Sequence, residues 1–233
     1  TLDQKDHRTD TDCFLGVEKS LKGKRWIKRD ADDRQALALA QRYGLPEVVG
    51  RVLAGRGVGL DDAEAFLNHV AASNLSVPVG KIVYSQLLNS RGGIEADVTI
   101  TRLSETAYLV VTPAATRLAD ETWLRRHVGD HRVVVTDITA AEAVICVMGP
   151  KSRALLQRVS PNDFSNAANP FGTAQEIEIG MGLARAHRVT YVGELGWEIY
   201  VSADMAAHVF EVLHEAGREM DARLCGLHMM DSC

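Results

Sequence analysis

The spacing of apolar residues changes once along this chain, and that change bounds what it can fold into. Up to about Asn74 apolar residues recur at helical intervals. From Val79 onward, short alternating runs rich in Val, Ile, Thr and Tyr replace them. A period of 3.6 does not fit a strand and a period of 2 does not fit a helix. Asp30 is placed to cap a helix through Ala36, Leu37, Leu39 and Ala40 that ends before Gly44. Pro46 opens a second helix, for which Val48, Val49, Val52 and Leu53 supply an apolar face. Asp61 or Asp62 caps a third. Residues 82–88, 97–101, 107–112, 132–137, 142–148, 174–179, 183–191 and 197–201 read as strands. Helices over 119–128, after Pro150 and over 203–217 complete the set, the last with Met205, Val209, Val212 and Leu213 as a buried stripe. This order of elements is α+β.

The 233 residues allow one large domain or two small ones. A net charge of −5 argues against a nucleic-acid footprint over the whole surface. One basic run, Lys19 to Arg29, could touch phosphates, but a solvated loop is the commoner meaning of such a run. Cys13, Cys146, Cys225 and Cys233 have no CxxC or metal spacing and read as free thiols of a reducing compartment, so a cytoplasmic location is expected. No run reaches the ~18 apolar residues of a membrane span, and the polar first dozen residues, read as a disordered tail (1–12), do not suit a signal peptide. Both ends read as interior to a longer chain.

Candidate chemistry gathers in the second part. Two strand-like runs, RVTYV and WEIYV, flank Gly193-Glu-Leu-Gly196 and read as a β-hairpin. Tyr191 and Glu198 then sit on opposite arms near the turn. A carboxylate there could accept from a heterocycle's adjacent N–H and amino donors. The same spacing fits a surface hairpin with a solvated Glu and an interfacial Tyr. After the Gly92-Gly93 turn, Asp97 stands near the start of a strand, where a carboxylate can be held rigid and partly desolvated to orient or accept a proton from an amine. Tyr84, thirteen residues earlier on the paired strand, can lie beside it. Each has a plain alternative, a turn-ending Asp and a half-buried strand aromatic. Gly55 to Gly59 lacks a phosphate-loop register and reads as a helix-ending turn. The eight histidines are dispersed, so no metal site is expected. No Gly-x-Ser-x-Gly elbow or Cys–His arrangement supplies an acyl-transfer nucleophile.

Three stretches, VPVGKIVYSQLLN (77–89), RGGIEADVTITRL (91–103) and RVTYVGELGWEIYV (188–201), resemble the folate-binding, aminomethyltransferase-like part of dimethylglycine and sarcosine dehydrogenases, a relative of the glycine-cleavage T-protein. The resemblance covers about residues 69–233 and implies an antiparallel-sheet-rich folate-binding domain, truncated at its C-terminus. It implies that Asp97 is the catalytic carboxylate and that Tyr84, Tyr191 and Glu198 bind tetrahydrofolate, with Glu198 on the pterin edge. It implies an iminium made by a partner FAD domain and captured as methylene-tetrahydrofolate. FAD belongs only to that partner domain, since no GxGxxG follows a strand here. Met230 replaces an arginine expected before Asp231, and Thr112-Pro-Ala-Ala115 replaces an Asn-containing loop. Without the family's closing barrel, the fragment alone is expected to be weak or inactive. A KGCYxGQE-type stretch, as in non-catalytic folate-binding relatives, is absent.

Residues 13–68 resemble a different family, the N-terminus of the RecJ single-strand DNA exonuclease, through FLGVEKSLKGKRW (14–26), ALAQRYGLPE (38–47) and VLAGRGVGLDDAEAFLN (52–68). That family's Asp-His-His metal motifs are missing. The expectation is a helical segment joined to a folate-binding domain. The alternatives are an inactive chimera and a nuclease fragment.

Overall fold

The computed structural model describes residues 33–42, 46–55, 62–230 and 232. The proposed caps at Asp30 and Asp61, the basic run 19–29, Cys13, Cys233 and all but Gly55 of the turn at 55–59 lie outside them. The chain divides into two compact units, residues 1–59 and 60–233.

In the first unit, α1 (Asp33–Arg42) buries Ala36, Leu39 and Ala40, as the helical spacing predicts, but leaves Leu37 exposed. The second helix, α2 (Glu47–Gly55), follows Pro46 as expected but turns the other way. Val48, Val49 and Val52 are exposed, and the buried positions are Gly50 and Ala54. The reason is the close approach of α1. A Cβ on Gly50 would overlap the Ala36 carbonyl oxygen and press on Ala40. A small-residue face that admits a neighbouring backbone prevails here over a valine face.

The second unit begins with α3 (Ala63–Val70). Asp62 stands at its N-cap position but makes no side-chain cap. Its carboxylate instead accepts the backbone N–H of Arg132 at 2.8 Å and the Arg132 guanidinium at 3.2 Å. Next come β1 (Ile82–Leu88), β2 (Ile94–Arg102) and β3 (Tyr108–Val111), an antiparallel sheet in that order. Leu87, Ala96, Val98 and Ile100 alternate onto one face and meet Phe66, Leu67 and Val70 of α3 and Leu124 of α4 (Arg117–His127). Burying each of the valine, leucine, isoleucine and phenylalanine side chains contributes roughly 1.5–3 kcal/mol. Residues 132–137 form no strand. Val133 and Val135 do pack on this core and Val134 is exposed, so the alternation is real. Among the described residues no strand pairs with the segment, and side chains hold it: Asp62 on Arg132, and Arg117 on Asp137 at 2.9 Å.

The second sheet has the order β4 (Glu142–Met148), β7 (Gly196–Ser202), β6 (Gly182–His187), β5 (Ala174–Ile179), antiparallel throughout. Trp197, Ile199, Val201, Ile177, Ile179, Ala184 and Ala186 face the helices α5 (Ser152–Val159) and α6 (Ala206–Arg218). In α6 the expected stripe holds: Val209 and Leu213 are buried, with Met205 and Val212 packed beside them. Two connected sheets with helices give the expected α+β architecture.

Backbone hydrogen bonds join the two sheets. Ile82 N–H donates to Gly172 O at 2.8 Å, and Ala174 N–H to Gly80 O at 2.7 Å. Gly172 N–H donates to Arg188 O and Arg188 N–H to Thr173 O, both at 2.9 Å. The start of β1 and the end of β6 thus lie about two strand spacings apart, ~10 Å.

Candidate functional site

Two carboxylates, one on each sheet, are held by aromatic hydroxyls. In the first sheet, Gln86 pairs with Asp97 and Tyr84 with Thr99, so period-2 alternation puts Tyr84, Gln86 and Asp97 on the face away from the core. Tyr84 Oη donates to Asp97 Oδ2 at 2.7 Å and Gln86 Nε2 donates to Oδ1 at 2.9 Å. The Tyr84–Asp97 proximity expected from spacing is present. The expected partial burial of Asp97 is not: this face is open, Asp97 is exposed and Tyr84 is 63% exposed. What fixes Asp97 is two donors rather than exclusion of water. The hydrogen bond to Asp97, then some burial and the carboxylate's charge, hold the Tyr84 phenol above its ordinary range, so Tyr84 remains a donor.

In the second sheet the hairpin is present but its connection is longer than expected. The ladder ends at His187 opposite Glu198, and residues 188–195 form a loop rather than the end of a strand. Val189 N–H turns back to His187 O at 3.0 Å, while Arg188 leaves the hairpin to pair with Gly172 and Thr173. Tyr191 therefore lies on the loop, 68% exposed, and does not face Glu198 across a ladder. The loop is fixed at both ends. The Arg188 guanidinium donates to Asn169 O at 2.6 Å and lies over the Trp197 ring at 5.6 Å. Leu195 O accepts Gly149 N–H at 2.8 Å and Ser152 Oγ at 2.9 Å.

Glu198 is half-buried on the face of β7 opposite the helices. Tyr200, two residues on, donates its hydroxyl to Glu198 Oε2 at 2.7 Å. Beside them on β6, the His187 ring packs against Tyr200 with centroids 4.2 Å apart and the ring planes tilted by 33°. Cys146 of β4 is opposite Glu198 on the other side. Burial, followed by the Glu198 charge, raises the Tyr200 phenol and the Cys146 thiol, so both stay protonated. Burial, followed by the charge of Arg185, lowers His187 to about 4, so its imidazole is neutral near pH 7. Gln86, Tyr200 and His187 were missed as site residues in the sequence. Alternation carries the signal for two of them, because Gln86 and Tyr200 stand two residues from Tyr84 and Glu198 and share their faces, whereas His187 is brought in by the β6–β7 register. Among the described residues, no group of three or more His, Cys, Asp or Glu side chains could hold a metal ion, and no helix is long and apolar enough to cross a membrane.

These carboxylates, on two antiparallel sheets joined at Gly172, occur in a chain whose residues 56–233 match the model of the GCVT N-terminal domain. The chain belongs to that family: it carries an aminomethyltransferase-like domain. It is 45% identical over 171 residues to 4-methylaminobutanoate oxidase (formaldehyde-forming) of Paenarthrobacter nicotinovorans, covering 73% of this chain and 21% of that protein. It is 31% identical over 225 residues to mitochondrial dimethylglycine dehydrogenase of Mus musculus, covering 89% and 26%. Its fold is that of the glycine cleavage system aminomethyltransferase T of Bartonella henselae, with a TM-score of 0.61 and 24% identity over 73% of this chain and 45% of that one. The chain spans about a fifth to a quarter of the length of these two curated relatives.

Proposed function

We propose that this chain is the tetrahydrofolate-binding, one-carbon-transfer module of a dimethylglycine or sarcosine dehydrogenase-type enzyme. The observation that carries the reading is Asp97, held by donors on both oxygens on an open sheet face. A carboxylate offers about four acceptor positions. Tyr84 and Gln86 occupy one on each oxygen, so Asp97 is oriented yet can still accept a proton from an amine nitrogen.

The chain's own residues fit a reduced folate. Glu198 offers Oε1 to the N–H and amino edge of a pterin, and Tyr84 and Tyr191 carry exposed rings that could pack on a ligand. Bound folate would supply a nucleophilic nitrogen for a one-carbon unit arriving as an iminium from an FAD-binding partner domain. Asp97 would then orient that nitrogen and hold its proton, and proximity would carry much of the rate. The small-molecule partners are the folate and the methylated-amine-derived iminium.

Isothermal titration of the full chain with tetrahydrofolate tests this. Binding heat is expected for the wild type, with affinity lowered at least ~10-fold in Glu198→Ala, the cost of removing a charged hydrogen-bond acceptor. No heat with the wild type, or unchanged affinity in the variant, sinks the reading. Absent folate binding would favour release of the carbon as formaldehyde, the product named for the 45%-identical relative. Titration with single-stranded DNA tests the nuclease-like reading of residues 13–68, for which heat at low salt is required.

A further inference from the structure

We propose that Tyr200 is the positioning residue of the ligand-binding carboxylate. Its hydroxyl pins one oxygen of Glu198 and leaves the other for the ligand, with the His187 ring as the plate that fixes the phenol. The inference rests on the folate reading and goes beyond it, because Tyr200 and His187 need not touch the folate to act.

The geometry is specific. Glu198 and Tyr200 are two apart on one strand, so their side chains rise from the same face and the 2.7 Å bond runs along β7. Tyr200 is only 4% exposed and His187 only 2%. A buried phenol normally needs a partner for its hydroxyl, and here the partner is the carboxylate. The tilted His187 ring, 4.2 Å from the phenol between centroids, restricts its rotation, so the donor stays aimed at Oε2. His187 Nε2 is buried and makes no hydrogen bond, so the imidazole serves as a flat, uncharged surface rather than as a counter-ion. The nearest cation on β6 is also committed: Arg185 donates to both oxygens of Glu142 at 2.6 Å. Cys146 across the ladder carries a proton. Among the described residues, the side-chain donor on half-buried Glu198 is Tyr200. That leaves Oε1 for the donors of a ligand. A ligand edge with neighbouring N–H donors suits that position.

The experiment is a double-mutant cycle read by tetrahydrofolate titration of the full chain. Tyr200→Phe keeps the ring on His187 and removes only the donor. It should weaken binding by on the order of tenfold, as expected for loss of a hydrogen bond to a charged group. In the Glu198→Gln background the same change should alter affinity by less than about twofold, because the hydroxyl acts through the carboxylate. Tyr200→p-aminophenylalanine, which restores an N–H donor, should recover most of the affinity, and Tyr200→p-methylphenylalanine, which fills the same volume without one, should not. That pair also replaces Tyr200→Phe if the phenylalanine variant fails to fold. Unchanged binding in Tyr200→Phe, or equal losses in both backgrounds, overturns the positioning role while leaving the folate reading intact. A wild type that does not bind, or a Glu198→Gln variant that binds as well as the wild type, overturns both.

Discussion

Each buried polar group near the site is in the protonation state its surroundings select, and His187 has a measurable consequence. Burial lowers its folded-state value to about 4 from an ordinary 6.5. Arg185, Glu198 and Tyr200 lie around it, and none of them hydrogen-bonds Nε2. Between those two pH values the unfolded chain binds a proton that the folded one does not, so stability rises with pH across the window. The contribution is fully present above about pH 6.5 and falls by about 1.4 kcal/mol per unit as pH drops toward 4, roughly 3 kcal/mol in all. Urea unfolding at pH 7, 6, 5 and 4 checks this. His187→Phe, which keeps a ring against Tyr200, should flatten the wild-type pH slope by about one proton between 6.5 and 4, whereas parallel slopes would refute it.

At the scale of elements, the strands over 142–148 and 174–179 were legible from the sequence to the residue, because alternation there coincides with a full ladder on β7 or β6. The run 183–191 overshoots. The sequence pattern continues past His187, but the backbone of Arg188 bonds to Gly172 and Thr173 instead, and local pattern carries no trace of a partner that distant in sequence. Residues 132–137 fail for the opposite reason, having a buried alternation and, among the described residues, no strand that pairs with it. The face of α2 was illegible because valines outweigh a glycine on any hydrophobicity argument, whereas what decides is how near α1 comes. Gly50→Leu tests that. With the Ala36 carbonyl and Ala40 in the way, overpacking should cost about 1–3 kcal/mol. Amide exchange should speed up across 33–55 and stay unchanged in β1 and β2. Equal protection in the variant would mean that α2 buries its valines after all. The candidate site was legible in part. The closeness of Tyr84 and Asp97 follows from spacing, whereas the exposure of Asp97 does not, and Tyr191 depends on the 188–195 loop, which the long-range bonds of Arg188 and Leu195 set.

At the scale of the second compact unit, both carboxylates depend on a joint that belongs to neither sheet. Gly172 accepts from Ile82 on one side and donates to Arg188 on the other, and its φ of +72° is a conformation that β-branched residues resist. A Cβ there would also lie 3.2 Å from Lys81 Nζ, the flexible end of a side chain that can move aside. Backbone strain, rather than a clash, is therefore the expected cost of Gly172→Val, about 1–3 kcal/mol. Gly92 separates strain from alignment. It has a similar φ of +75°, with nothing within 4 Å of the position a Cβ would take, and it sits in the β1–β2 turn away from the joint. Gly92→Val should lower the melting temperature by a comparable amount. Only Gly172→Val should speed exchange of the Ile82 and Arg188 amides and, with the two sheets no longer registered, weaken tetrahydrofolate binding. If both variants weaken binding equally, global stability rather than the joint governs the site. If neither does, each carboxylate works within its own sheet.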